Sequence, residues 1–479
     1  MNAAARLVKN TAALSLAEIF SKLANFVFVA VLARLLSPAD FGGYTMLMTL
    51  VWALTALADL GISQVMVREI AIQRERAGGI LAGALVITAS VSLLAWAGLA
   101  AWGWFGPYAG TLRFLLFLAG GIVLGNTLAQ TASSALRAFE RMEIQAVLNS
   151  GLLLVVSLAG LALALAGFGL GAQVWSHLAF GVLAAGLTLA IVQRRFVPLH
   201  GRIDLAAVGL LMRQALPITF LFLCSAALRW SDVLILSQVR PLEDVAVYGA
   251  AVRLIELAFV ISNSASAALL PALAIRWRNN PDEARRVYAH ALRLFATLGL
   301  AVAFGLTALA GPVISLVYGA QYQAATQPLI ILGWTYFFQV INAPMWLLLI
   351  AAPDGIRRFL PAIGLVTLGN IVLNLVLAPR FGPVGAAGAF LLTAFATGLI
   401  RHGVSSVYFP TPPRVRTMLV RPLLAGAAMA VILYTMNGQS LLLTLPLGAI
   451  SFSLFLLLSG EFKQEPYLSL LRILPIHRS

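Results

Sequence analysis

Apolar stretches of about 20 residues recur about fourteen times along this 479-residue chain, parted by short polar gaps, and arginine is concentrated in every second gap. A helix rises about 1.5 Å per residue, so about 20 residues cross roughly 30 Å of bilayer hydrocarbon. In lipid each backbone amide must be satisfied within its own segment, which makes such a run a transmembrane helix. With 61% apolar and 10% charged residues, the chain also lacks the polar side chains to cover a soluble globule. The predicted fold class is an all-α polytopic membrane protein of about 14 transmembrane helices.

Spans are expected near 10–36, 42–66, 79–104, 112–134, 145–166 and 171–192, then near 213–238, 245–272, 288–310, 326–351, 357–378 and 384–408, with a last pair near 418–436 and 440–459. The first run carries Glu18 and Lys22 and reaches Leu36, too long and too charged for a cleaved signal peptide, so it reads as a retained span. Arginine and lysine near span ends stay on the cytoplasmic side. With both termini inside, 24 of the 32 cations fall in cytoplasmic segments, while Arg34, Arg113, Arg240 and Arg380 lie outside and Lys22, Arg229, Arg253 and Arg401 lie within spans. The expected location is the cytoplasmic (inner) membrane, multi-pass, with cytoplasmic N- and C-termini.

The chain also repeats itself. Residues 36–44 read LSPADFGGY and 239–248 read VRPLEDVAVY; both set a proline after an apolar run, then an acid, then a tyrosine that opens the next span. Residues 168–172 (FGLGA) and 381–387 (FGPVGAA) match as well, and all four segments fall on outer loops. Proline and glycine punctuate any helical hairpin, so one match alone could be convergence. Two at similar offsets point to duplication, with halves running in the same orientation. Residues 1–193 are then an N-terminal six-helix bundle and 213–409 a C-terminal one. A cytoplasmic linker at 194–212 joins them, its LAAVGLLM stretch (205–212) suited to lie along the interface, and 410–479 adds two transmembrane helices and a cytoplasmic tail.

SPADFGGY at 37–44, DLGISQVMVREIA at 59–71 and LRAFERMEIQAVLN at 136–149 resemble the polysaccharide-exporter branch of the MOP flippase superfamily. That branch holds the O-antigen and repeat-unit flippases called Wzx, with the lipid II flippase and the MATE exporters as more distant relatives. The likeness runs over essentially the whole chain and is sharpest toward its N-terminal end. It implies a V-shaped pair of six-helix bundles around a central cavity, plus the two C-terminal helices. Such a protein moves a polyprenyl-pyrophosphate-linked oligosaccharide, an O-antigen or exopolysaccharide repeat unit, across the cytoplasmic membrane by alternating access. Its partners would be the lipid-linked oligosaccharide, membrane lipids, and the polysaccharide polymerase with its chain-length machinery. No cofactor is implied beyond a coupling H+ or Na+.

A charge at the bilayer centre costs about 2.5–3.5 kcal/mol even on lenient insertion scales, so each needs a partner or water. Eight stand inside the expected spans: Glu18, Lys22, Asp59, Arg229, Asp232, Arg253, Glu256 and Arg401. Glu18 with Lys22, Arg229 with Asp232, and Arg253 with Glu256 are three or four residues apart and so share a helix face. They can neutralise one another and merely hold helices together. Alternatively they line the cavity, where Lys22, Arg229, Arg253 and Arg401 would attract a pyrophosphate and acidic sugars, the arginine fork giving two bonds to phosphate oxygens at once. Lys22 and Arg229 fall near the midplane on the first helix of each half, and Arg253 nearer the outer face.

Asp59 alone among the acids has no cation three or four residues away, and its duplicated position is the neutral Asn263. A desolvated carboxylate tends to hold a proton or bind a cation, which makes Asp59 the candidate for ion coupling, against an ordinary bond to Lys22 or a helix-end role. Pro217, Pro271 and Pro344 fall in or near spans, as bends for rocking or as static kinks.

The net charge of +15 is scattered in small groups between apolar runs rather than gathered on one module, so nucleic acid is not an expected partner. A single cysteine, Cys224, permits no disulfide within the chain, and no metal site is expected. None of Lys9, Lys22 and Lys463 follows a glycine, as a P-loop lysine would. No loop exceeds about 20 residues, leaving no soluble catalytic module, so the chain is not expected to be an enzyme. Two rivals remain, a MATE-type cation-coupled small-molecule antiporter and a lipid II-type flippase. Four intramembrane cations against four anions do not separate them; the first outer loop favours the glycan flippase.

Overall fold

The computed structural model describes residues 3–106, 110–196, 205–351, 354–408, 415–436 and 438–459. Its regular elements, among the described residues, are all helical. By internal contacts the chain divides into two compact units, Met1–Ala246 and Val247–Ser479.

The first unit holds α1 (Ala3–Leu35), α2 (Pro38–Asp59), α3 (Ile62–Ile72), α4 (Ala77–Phe105), α5 (Thr111–Ala138), α6 (Met142–Leu165), α7 (Leu170–Arg195) and α8 (Leu205–Val239). The SPAD motif is a helix start: the Ser37 hydroxyl accepts the Asp40 N–H at 3.1 Å, and Pro38 supplies the preset φ of a first turn. The helix it opens is buried along most of its length. At the centre, α5 packs on α2, α3, α4 and α7, while α1 packs on α6. The α5–α7 contact is close because a Cβ on Gly125 would stand 2.7 Å from the Gly181 carbonyl carbon; small residues let membrane helices approach backbone to backbone.

α8 packs on α2, α3 and α4 and so stands with the first unit, one helix beyond the linker at 194–212. Residues 197–204 of that linker lie outside the described residues, and 205–212 form the first turns of α8 rather than a separate interfacial helix.

The expected span 42–66 is corrected. α2 ends at Asp59, Leu60 (φ 47°) and Gly61 (φ 72°) both turn left-handed, and α3 restarts at Ile62. Two consecutive left-handed residues cannot continue a right-handed helix, and glycine makes the second of them cheap. By then α2 is already long enough to cross the hydrocarbon, with 22 residues. α3 instead lays Ile62, Val65, Met66 and Ile70 against Ile80 and Leu81 of α4, Leu136 of α5 and Leu211 of α8.

The second unit takes most of α9 (Leu242–Asn279), then α10 (Pro281–Tyr318), α11 (Thr326–Ala351), α12 (Gly355–Tyr408), α13 (Val415–Thr435) and α14 (Leu441–Leu458). α11 packs between α10 and α12, and α13 between α10 and α14. α12 is 54 residues long but not one rod. In a continuous helix Asn370 and Thr393 would stand about 34 Å apart; here the Asn370 Nδ2 donates to Thr393 Oγ1 at 2.9 Å. The chain doubles back at Gly382 (φ 57°), within the FGPVG motif, so α12 carries both spans expected at 357–378 and 384–408.

Twelve described helices are long and apolar enough to cross a membrane. With α12 doubling back on itself and α1 covering the first expected span, this is consistent with about fourteen crossings. Large apolar side chains face outward, among them Leu94, Phe105, Val182, Leu399 and Val431, as only a lipid-solvated protein tolerates. The chain is a multi-pass, all-α membrane protein. Pro344 lies buried inside α11; the side chains of Pro217 and Pro271 lie outside the described residues.

Candidate functional site

The intramembrane charges fall into three environments. Lys22 on α1 and Arg229 on α8 are exposed at positions 13 and 10 residues before the C-terminal ends of their helices, or roughly 15–20 Å along the axis. The Arg229 guanidinium lies 5.8 Å from the Trp230 ring centroid. Asp232, one turn on, is buried, and its carboxylate accepts the Val233 N–H at 2.8 Å. Glu18 lies outside the residues whose side chains are described.

On α9 the three-residue spacing brings Arg253 and Glu256 together as a 2.9 Å ion pair, their side chains 26% and 37% accessible. Eleven residues of α9 precede Arg253, about 16 Å of helix. A charge pair so far inside a span and still accessible needs water beside it, because hydrocarbon would not solvate it.

Arg401 differs. Its guanidinium stands 5.3 Å from the Trp346 ring and 5.1 Å from the Phe359 ring, and Nη1 reaches the Asn342 carbonyl at 3.4 Å. That arrangement ties α12 to α11 and to its own first turns. Two aromatic faces hold a planar guanidinium better than an ammonium, so Arg401→Lys is expected to cost about 1–2 kcal/mol of stability, read as a fall in the thermal midpoint of the detergent-purified protein. An unchanged midpoint would count against this role.

Asp59 is set at the α2–α3 break. Ser63 Oγ donates to its carboxylate, the Arg137 guanidinium of α5 acts on it electrostatically, and the carboxylate is buried. The break is tied to α8, since Thr219 Oγ1 donates to the Leu60 carbonyl at 2.6 Å. About two turns of α3 away, Arg68 reaches both the buried Glu69 and Gln214 of α8.

Two neutral polar clusters lie apart from these charges. In the second unit Asn342 Nδ2 donates to the Ala394 carbonyl at 3.1 Å and Asn374 Nδ2 to the Asn370 carbonyl at 3.0 Å. The Oδ1 atoms of Asn342 and Asn374 are buried without a partner among the described residues. The signal was present: two asparagines four residues apart inside an apolar run must share a helix face. In the first unit His177 Nδ1 lies 2.8 Å from the Gln173 carbonyl and Nε2 lies 3.5 Å from the Tyr44 hydroxyl. A carbonyl can only accept, so Nδ1 carries the proton. Asn25 with Ser157, and Ser21 with the Ser150 carbonyl, continue a polar seam between α1 and α6.

Set against known proteins, residues 7–276 match the family model described as polysaccharide biosynthesis protein. A curated relative named "Probable low-salt glycan biosynthesis flippase Agl15", from Haloferax volcanii, is 23% identical over 257 residues, covering 52% of this chain and 54% of that protein. The chain thus spans about half the length of that relative. Among solved structures, a lipid II flippase MurJ in an inward closed conformation superposes with TM-score 0.79 at 16% identity, covering 94% of this chain and 99% of its own. An inward-facing multidrug resistance MATE family transporter of the MOP superfamily superposes with TM-score 0.59 at 16% identity, covering 84% and 99%.

Proposed function

The chain belongs to the polysaccharide biosynthesis protein family, and from that premise we propose that it is a flippase carrying a polyprenyl-pyrophosphate-linked oligosaccharide across the cytoplasmic membrane by alternating access. The observation that carries the reading is the accessible Arg253–Glu256 pair deep within a span. The pair supplies a cation, beside water, to which a phosphate-bearing headgroup can bind; the exposed Lys22 and Arg229 are further cations within spans of the first unit. Pyrophosphate is the charged part of such a substrate and does not change with the glycan, so a carrier that must pass many residues of sugar holds it there. Arginine does so through paired hydrogen bonds, and water beside the charges lowers the cost of crossing. The protein's task is movement, not bond-making, and the polysaccharide polymerase with its chain-length machinery would take the substrate on the outer face.

In a strain lacking this chain, the lipid-linked oligosaccharide should accumulate with its sugar on the cytoplasmic leaflet, identified by mass spectrometry and by protection from an external glycosidase. Unimpaired delivery of the sugar to the outer leaflet contradicts the reading. A cation-coupled small-molecule antiporter would instead leave lipid-linked glycans unchanged while intracellular drug accumulation rises.

Coupling is assigned to Asp59, whose buried carboxylate at a helix break is suited to take up H+ or Na+. Asp59→Asn should leave downhill exchange of the glycan lipid in proteoliposomes intact and abolish its acceleration by an imposed ion gradient. Wild-type flipping that is indifferent to both proton and sodium gradients removes the coupling role.

A further inference from the structure

We propose that Thr219 is the positioning residue that carries ion uptake at Asp59 to α8, its hydroxyl holding the Leu60 carbonyl while Asp59 is ionised and falling back on the Ala215 carbonyl once the carboxylate is occupied. The role rests on the reading of Asp59 given above and adds to it the route by which α8, the helix that carries Arg229, is moved.

The break between α2 and α3 leaves the Leu60 carbonyl without a backbone donor. In a continuous helix the Gln64 N–H would reach it. Here Leu60 (φ 47°) and Gly61 (φ 72°) turn left-handed, and the Gln64 and Val65 N–H groups go to the Gly61 carbonyl instead, at 3.1 and 3.4 Å. The Thr219 hydroxyl of α8 fills the gap at 2.6 Å. The same oxygen lies 3.0 Å from the Ala215 carbonyl, one turn back on its own helix. A threonine hydroxyl has one hydrogen to give, so it serves one carbonyl fully or the other, and neither choice leaves it unsatisfied.

Asp59 sets the other side of the break. The Ser63 hydroxyl, in the first turn of α3, donates to its buried carboxylate, so the charge at the end of α2 draws α3 in against the turn. Hydrogen bonds to a charged group are about twice as strong as neutral ones, so H+ or Na+ on the carboxylate weakens that hold. Leu60, whose side chain makes a positive φ costly, is the residue that then relaxes, and relaxation there swings its carbonyl away from Thr219. The foot of α8 stays on α3, because Arg68 Nη2 donates to Gln214 Oε1 and Leu211 and Ala215 share an apolar cluster with Ile62, Val65 and Met66. Between Gln214 and Thr219 stands Pro217, which has no N–H and leaves α8 one backbone hydrogen bond short where the pull arrives. Release of Thr219 lets α8 bend there. Arg229, ten residues beyond Thr219 and so about 15 Å up the helix, moves with it.

The test uses the full-length protein in vesicles with a labelled polyprenyl-pyrophosphate oligosaccharide, with and without an imposed proton or sodium gradient. The wild type and Thr219→Ser, which keeps the hydroxyl, should both be accelerated by the gradient. Thr219→Val, nearly the same shape without the donor, should flip downhill at the wild-type rate and lose the acceleration, about fivefold or more for a coupling of ordinary size. Loss of downhill and driven flipping in equal proportion, a merely structural defect, overturns the proposal. So do full acceleration of Thr219→Val and absence of acceleration in Thr219→Ser. A second measurement leaves Thr219 unchanged: in Asp59→Asn, where the amide stands for the occupied carboxylate, the backbone amides of 61–65 should exchange hydrogen faster than in the wild type. Equal exchange overturns the proposal even where Thr219→Val does not fold. Acceleration that survives Asp59→Asn removes the reading of Asp59 itself, whereas acceleration lost in Asp59→Asn and kept in Thr219→Val removes only the role of Thr219.

Discussion

Arg253→Gln is expected to slow translocation of the lipid-linked glycan about 100-fold or more, the cost of truncating one member of a hydrogen-bonded charge pair being about 2–5 kcal/mol. The variant alone strands the Glu256 carboxylate within a span, so part of the loss could come from a poorly inserted protein. The double variant Arg253→Gln with Glu256→Gln removes that ambiguity. It keeps the shape of residue 256 and the neutrality of the site and leaves no charge stranded within the span, so its abundance and thermal midpoint should be close to those of the wild type. Its transport should remain as low as that of the single variant, because an amide does not replace a guanidinium toward pyrophosphate. Near-normal transport by the double variant would mean that Arg253 serves only to neutralise Glu256.

The second large effect is expected at Gly42, in the first outer loop motif. A Cβ built there stands 1.8 Å from the carbonyl oxygen of Leu242 and 2.6 Å from its carbon, in the first turn of α9, which belongs to the first unit. The clash is with backbone and begins at the first side-chain atom, so no rotamer relieves it. Gly42→Ala should therefore cost more than the usual overpacking penalty of about 1–3 kcal/mol, seen as a large fall in thermal midpoint or in the amount of folded protein recovered from membranes. The neighbouring Gly43 is the control. Its Cβ would meet a movable Leu170 methyl at 3.1 Å, and Gly43→Ala should be mild. Equal effects at the two glycines would show that the close approach at Gly42 is not what constrains that loop.

Gly42 also shows where reading the sequence stops. The two duplicated loops, 36–44 and 239–248, are legible as a repeat because proline, acid and tyrosine recur in register. That they touch through Gly42 and Leu242 depends on packing between segments 200 residues apart, which no local pattern encodes. The same holds for the DLG of 59–61. Its glycine was visible, but the apolar run continues through Ile62, Val65 and Met66, so hydropathy carries the span past a break that backbone geometry imposes. The reverse occurs at 381–387, where FGPVG marks the hairpin although α12 is helical on both sides of it. Spacing was enough to pair Arg253 with Glu256, since i and i+3 share a helix face whatever surrounds them. It could not place Arg401, whose aromatic neighbours come from two other stretches of chain.

The most direct test of the account reconstitutes the purified protein into vesicles carrying a fluorescent polyprenyl-pyrophosphate oligosaccharide in the inner leaflet only, and follows its arrival outside by a membrane-impermeant quencher. Wild-type vesicles should lose fluorescence at a rate that scales with protein content, and vesicles holding the Arg253→Gln, Glu256→Gln protein should lose it no faster than empty ones. Equal rates in wild-type and empty vesicles, with the protein folded and correctly inserted, would contradict the account.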